Sequence, residues 1–224
     1  MIIKRAIQDE LKSLMAEYPV VTITGPRQSG KTTLAQISYP NFTYCNLENP
    51  ELRNLASNDP NTFFNSFQWP LIIDEIQRVP QLLSYIQTIV DSNKKNGMFL
   101  LTGSHQLALG DAVNQSLAGR TALLRLLPFS ISELRSGSIE LSRDEYLYRG
   151  FQPRIYDQNQ DPTRANRNYL QTYIERDLRQ IMQIKDLGLF ENFIRLLAGR
   201  VGQVLNLHSI SRDLGVSSTS LAKW

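Results

Sequence analysis

PVVTITGPRQSGKTT, residues 19–33, is the stretch that decides the fold. An apolar, β-rich run, Pro19–Thr24, gives way to Gly25–Thr33, which packs two glycines, a lysine and two threonines into one short loop. Glycine weakens the interior of a strand or helix, and a lysine beside it adds nothing to a core. A solvent-facing glycine-rich turn is the plain explanation. The spacing Gly25-x-x-x-x-Gly30-Lys31-Thr32, placed between a strand and a helix, has a stronger one. Glycines let the backbone curl until its N–H groups face phosphate oxygens. A helix beginning near Lys31 aims its partial positive end at the same charges.

In this Walker A pattern Lys31 is expected to reach the β- and γ-phosphates and Thr32 to ligate Mg²⁺. Gly25, Pro26, Arg27, Gln28, Ser29, Gly30 and Thr33 complete the expected nucleotide cradle.

Outward from this loop, strand-like and helix-like patterns alternate. Short β-rich runs recur at 20–24, 42–46, 71–74, 98–102 and 122–126. Several are almost wholly apolar, as in parallel strands covered on both faces by crossover helices. Between them lie helical periods such as Gln81–Val90, with Leu82, Ile86 and Val90 four apart. Five strands joined by helices predict an α/β, doubly wound parallel sheet. The amino-terminal stretch carries Ile3, Ile7, Leu11 and Leu14 on one helical face and reads as an amphipathic helix.

Asp74-Glu75 closes the apolar run of LIIDEIQ. A carboxylate pair at a helix N-terminus would complement the macrodipole. After a phosphate loop it is instead expected to act as a Walker B pair. Asp74 would then hold the Mg²⁺ shell, while Glu75 would orient and deprotonate the water attacking the γ-phosphate. The strand-like run between the two motifs predicts a further strand inserted between the Gly25 and Asp74 strands. Thr102 and Ser104, in LLTGSHQ, are candidates to contact the γ-phosphate or that water; they are also ordinary polar residues for closing a strand. Arg120, just before the fifth strand, suits a finger reaching a neighbour's nucleotide, and equally a cation at a helix C-terminus.

Composition narrows the classes. The 224 residues carry a net charge of +3, too small to mark a nucleic-acid binder or a polybasic membrane anchor. The single cysteine, Cys45, allows no internal disulfide and no all-cysteine metal site, which fits a reducing, cytoplasmic setting. His105 and His208 lack ligand-spaced partners. No apolar run nears the roughly 20 residues of a membrane span.

Past Pro128 strand signals fade. Tyr169, Tyr173, Ile174, Leu178 and Ile181 fall at helical spacing, LFENFIRLLAGR continues the pattern, and the polar segment 158–163 reads as a hinge. LNLHSISRDLGVSSTSLAKW reads as a helix-turn-helix: Ile210 and Leu214 on the first helix, Gly215 at the turn, Ser217 as N-cap of the second. Its second helix has gathered only Leu221 and Trp224 when the sequence ends, which is expected of a truncated unit. Arg212 and Lys223 are its only cations, so contact with DNA, contact with protein, and a lid role all stay open. Arg176, Arg195 and Arg200 suit nucleotide sensors or surface salt links alike.

PVVTITGPRQSGKTTL, LIIDEIQRVPQLL, LLTGSHQ, SLAGRTALLRLLPFSISEL, YIERDLRQI and the final segment together resemble the AAA-type (AAA+) P-loop ATPase superfamily. The resemblance is narrower still to a prokaryotic family of predicted ATP-binding proteins with a C-terminal domain of unknown function. It implies an ASCE-type sheet of order 5-1-4-3-2, with ATP and Mg as ligands. One departure is Arg149-Gly150-Phe151-Gln152-Pro153, where such proteins have Gly-Gly-Phe-Pro; no role is assigned there. The expected organisation is a P-loop ATPase domain over 1–135, a helical lid-like region over 136–204, and the start of a winged-helix unit over 205–224. The expected activity is ATP hydrolysis driving a conformational change on an unknown protein or nucleic-acid client, with ATP/ADP as ligands and a homo-oligomer left as an open option. The rival readings are a nucleotide-gated binding switch with little turnover and a small-acceptor kinase.

Overall fold

The computed structural model describes residues 2–104, 116–173 and 186–222. They divide into two compact units, Met1–Gln160 and Asp161–Trp224.

The first unit is built on five parallel strands: β1 (Val20–Gly25), β2 (Thr43–Asn46), β3 (Leu71–Asp74), β4 (Phe99–Ser104) and β5 (Thr121–Arg125). Their spatial order is β2-β3-β4-β1-β5, the reverse listing of the expected 5-1-4-3-2. β4 is thus the strand inserted between the Gly25 and Asp74 strands, with Val20 opposite Phe99 and Leu71 opposite Phe99 on its other edge. Parallel neighbours require long crossovers. These are supplied by α2 (Lys31–Ser38), α3 (Pro50–Asn58), α4 (Pro60–Asn65) and α5 (Leu82–Asn93), with α1 (Gln8–Glu17) preceding β1.

Period-two alternation sends successive residues to opposite faces. Val20, Leu71, Ile73, Phe99 and Leu101 enter one cluster with Phe63, Leu82 and Ile86. Val21, Ile23, Ile72 and Leu100 enter the other with Leu11, Met15 and Leu34. Both faces are buried, which is why these strands read as continuous apolar runs. Helix starts are equally local in origin. Asn49 accepts from Glu51 and Leu52 N–H groups ahead of Pro50, and Asp59 accepts from Thr62 N–H ahead of Pro60.

One expectation differs from the structure. The first helix starts only at Gln8: Ile3 is buried with Leu134 and Tyr146, away from Leu11 and Met15. The compact units divide at 160/161, beyond the domain boundary expected after residue 135. The reason is packing. α6 (Ile131–Ser136), α7 (Arg143–Arg149) and α8 (Pro153–Asp157) close a satellite core of Ile3, Leu134 and Tyr146, joined by Phe129, Phe151 and Tyr156. Gly150, at φ +69°, ends α7, and the Phe151 carbonyl accepts from Phe129 N–H at 2.9 Å.

The second unit contains α9 (Pro162–Tyr173), α10 (Leu187–Ala198), α11 (Leu207–Leu214) and α12 (Ser218–Leu221). Its core joins Phe190, Phe193, Ile210 and Leu221, so residues 186–204 and 205–222 share one cluster instead of forming separate regions. Asn206 caps α11, Gly215 ends it in the left-handed region, and Ser217 caps α12. Ile174, Leu178, Ile181, Lys223 and Trp224 lie outside the described residues.

Candidate functional site

The C-terminal ends of β1, β3 and β4 converge, Gly25 lying opposite Ser104 in the parallel register. Gly25 has φ +149°, and a Cβ there would stand 2.1 Å from the Leu126 carbonyl oxygen. Only glycine fits so close an approach. The chain then turns through Gln28 (φ +61°) and Gly30 (φ +92°) into α2. Lys31 is buried, and its Nζ donates to the Gly25 and Pro26 carbonyls at 3.1 and 2.8 Å. Arg27 and Thr33 flank this loop, and Ser29 is buried within it.

Asp74 is the hub beside the loop. Thr32 Oγ1 donates to its carboxylate, 3.0 Å from either oxygen, and Tyr44 OH donates to Oδ2 at 2.9 Å. Thr102 Oγ1 makes a short hydrogen bond to Oδ1. Burial, and after it the Asp74 charge, drives the Tyr44 phenol well above its ordinary range. The same two causes push the Cys45 thiol up to about 12. Glu75 follows at φ 60°, ψ 44°, a left-handed conformation sparsely populated by side-chain-bearing residues. Its carboxylate accepts a short hydrogen bond from Gln77 Nε2, which also donates to Ser104 Oγ at 3.0 Å.

The far side of the loop is held by Arg5. Its guanidinium donates to the Ser29 carbonyl at 2.8 Å, the Leu127 carbonyl at 2.6 Å and Glu133 Oε1 at 2.9 Å. It also lies 4.9 Å from the centre of the Phe129 ring. Glu133 accepts in addition from Ala6 N–H and Ser130 N–H, both at 2.8 Å. Burial alone would raise its carboxyl, but these donors hold it below the usual range. Next to Arg5 a largely apolar cleft, lined by Ile2, Ile3, Leu34, Ile37 and Phe129, opens onto Gly30 and Thr33.

Of the predicted residues, the structure brings together Lys31, Thr32, Asp74, Glu75, Thr102 and Ser104. Arg120 is not among them. Its carbonyl accepts from Val20 N–H, at the opposite end of β1 from the loop, and its guanidinium grips Asp91 at 2.6 and 2.9 Å. In the second unit Arg200 pairs with Asp213 at 2.6 Å, and Arg195 faces Glu191 at 3.8 Å. His105 and Arg176 lie outside the described residues. Sequence reading missed Arg5, Tyr44, Gln77 and Glu133. Only Glu133 had a signal of its own, the capping-box spacing Ser130-x-x-Glu133.

A parallel sheet with an inserted strand between a glycine-rich loop and an acidic strand end defines an α/β P-loop protein of the ATPase type. Comparison with known proteins agrees. The family model described as AAA domain matches residues 17–135, and a Domain of unknown function (DUF8612) matches residues 140–224. The chain belongs to the AAA domain family. Uncharacterized proteins of Mycobacterium bovis (Mb2031c) and Mycobacterium tuberculosis (Rv2008c) are each 30% identical over 227 residues, covering 99% of this chain. The chain spans about half the length, 50%, of these curated relatives. The Walker-type ATPase paby2304 of Pyrococcus abyssi superposes with a TM-score of 0.53 at 15% identity, over 96% of this chain and 89% of that one. That likeness is one of fold.

Proposed function

We propose that the protein binds ATP with Mg²⁺ and hydrolyses it, the turnover driving a conformational change on a client. The observation carrying this reading is the Asp74 carboxylate, which collects the Thr32 and Thr102 hydroxyl protons beside the Lys31 loop. Thr32 spends its one proton on Asp74, so its oxygen lone pairs remain for a hard cation. Among the described residues no cluster of three acidic, histidine or cysteine side chains could cage a metal. Magnesium suits such a site, because it takes one or two protein oxygens and completes its shell with phosphate and water. Thr32 and Asp74 would hold it, and when bound it neutralises charge developing on the phosphates.

The protein's own groups do the rest. The backbone of residues 25–32 cradles the phosphates, and Lys31 exchanges its carbonyl partners for phosphate oxygens. The apolar cleft between Ile3 and Leu34 accepts the base, which favours a nucleotide over a bare polyphosphate. Glu75 takes a proton from the attacking water. Arg120, on the far end of the sheet and outside its own site, would act only in a neighbouring subunit. Among the described residues no helix is long and apolar enough to cross a membrane, and a cytoplasmic role agrees with the buried free thiol.

The test compares the wild-type chain with Glu75→Gln and Lys31→Ala. Glu75→Gln should retain nucleotide binding and lose phosphate release. At about 100 times its dissociation constant Mg-ATP should stabilise the wild type by roughly 2.7 kcal/mol, and Lys31→Ala should lose most of that gain. A wild type that hydrolyses no faster than Glu75→Gln would make the protein a nucleotide-gated switch. Transfer to a small acceptor in place of phosphate release would make it a kinase.

A further inference from the structure

We propose that Gln77 positions the attacking water, its carboxamide nitrogen holding Glu75 while its carboxamide oxygen accepts a hydrogen bond from that water. The inference rests on the hydrolytic reading above. Gln77 Nε2 bridges the Glu75 carboxylate and Ser104 Oγ. An ionised carboxylate only accepts hydrogen bonds, so the NH₂ end of the amide must face Glu75. Oε1 of the same amide is buried and accepts no hydrogen bond from the described residues. A buried acceptor left without a donor is costly, and a water beside Glu75 supplies one.

The turn carrying Gln77 is stiff. Arg78 N–H donates to the Glu75 carbonyl at 2.9 Å, Val79 N–H to the Ile76 carbonyl at 3.1 Å, and Arg78 is pinned to Glu48 at 2.7 Å. A short, rigid turn is what places an amide and a carboxylate on one water molecule.

In the step itself the water oxygen bonds to the γ-phosphorus. The bond from phosphorus to the β,γ-bridging oxygen breaks, its electron pair leaving with ADP. One water proton passes to Glu75; the other remains on the phosphate product, hydrogen-bonded to Gln77 Oε1. Gln77 makes and breaks no covalent bond.

The experiment uses the full chain with Gln77→Leu and Gln77→Glu. Both should lower kcat for Mg-ATP by roughly 10- to 100-fold while leaving the ATP dissociation constant within about twofold. Retained binding reports retained folding. Wild-type kcat in either variant, or equal loss of binding and turnover, would overturn the proposal. Glu75→Gln separates the two readings. If it abolishes turnover while the Gln77 variants keep theirs, hydrolysis stands and the role of Gln77 falls. A wild type without turnover removes both.

Discussion

Arg5 Nε and Glu133 Oε1 meet at 2.9 Å across 128 residues of sequence, and both side chains are buried. The same guanidinium holds the Ser29 carbonyl, so the amino-terminal segment, the phosphate loop and the start of α6 are one polar unit. Removing one partner strands the other, which costs about 3–5 kcal/mol in buried pairs.

Glu133→Gln should therefore lower the melting temperature by roughly 6–12 °C at pH 7 and weaken nucleotide binding through the loosened Ser29. Because folding depresses the Glu133 carboxyl, its stabilisation is complete above the unfolded value of about 4.3 and vanishes as pH falls through the lower folded value. Melting curves of wild type and variant should converge on acidification below about pH 4. A gap that stays constant would deny the carboxylate this role.

The difference between these residues and the phosphate loop explains what was legible in the sequence. Gly25, Gly30, Lys31 and Thr32 announce themselves because their spacing serves a local backbone geometry. β1, β3 and β4 were legible because both faces are buried, and all five strands follow the strand-like runs to within a residue or two. Arg5 and Glu133 are joined only by the tertiary fold, and nothing near either one names its partner. Tyr44 reads as a strand aromatic until β2 pairs with β3 and brings its hydroxyl to Asp74. The packing of residues 131–157 was hidden for the same reason. Helices 131–157 carry ordinary helical signals, and only their contact with Ile3 shows which core they join.

Cys45 offers a probe of this sheet. It is fully buried and its thiol is pushed up to about 12, so at pH 8 the folded protein presents no thiolate. Thiol-reactive dye should label it only through opening of β2, and Mg-ATP should slow the labelling. Above the unfolded thiol value of about 8.5 stability should fall with rising pH, since only the unfolded chain ionises there. Cys45→Ala should blunt that fall; fast labelling of the native protein would contradict the burial.

Arg120 is held by Asp91 on the exposed end of the sheet remote from the loop. Exposed pairs add little stability, so Arg120→Ala should leave the melting curve essentially in place. If it completes a neighbour's site, turnover per subunit should rise with protein concentration in the wild type, and the variant should lose that rise. Mixing Arg120→Ala with Lys31→Ala should then recover part of the activity, each supplying what the other lacks. A flat concentration dependence in the wild type would confine Arg120 to its pairing with Asp91.

Two glycines with positive φ separate strain from contact. Gly119, at φ +73°, has nothing within 4 Å of an added Cβ, so Gly119→Ala should pay only the left-handed penalty of about 1–2 kcal/mol with nucleotide binding unchanged. At Gly25 the added carbon would meet the Leu126 carbonyl at 2.1 Å, and that backbone cannot swing aside because Leu126 N–H is bonded to the Thr24 carbonyl at 2.8 Å. Gly25→Ala must therefore displace either the end of β5 or the first turn of the phosphate loop. It should lose more stability than Gly119→Ala and more than tenfold in Mg-ATP affinity, about 1.4 kcal/mol of binding. Titration of the two variants side by side decides it. Wild-type affinity in Gly25→Ala would mean that the loop grips phosphate without this close approach to β5.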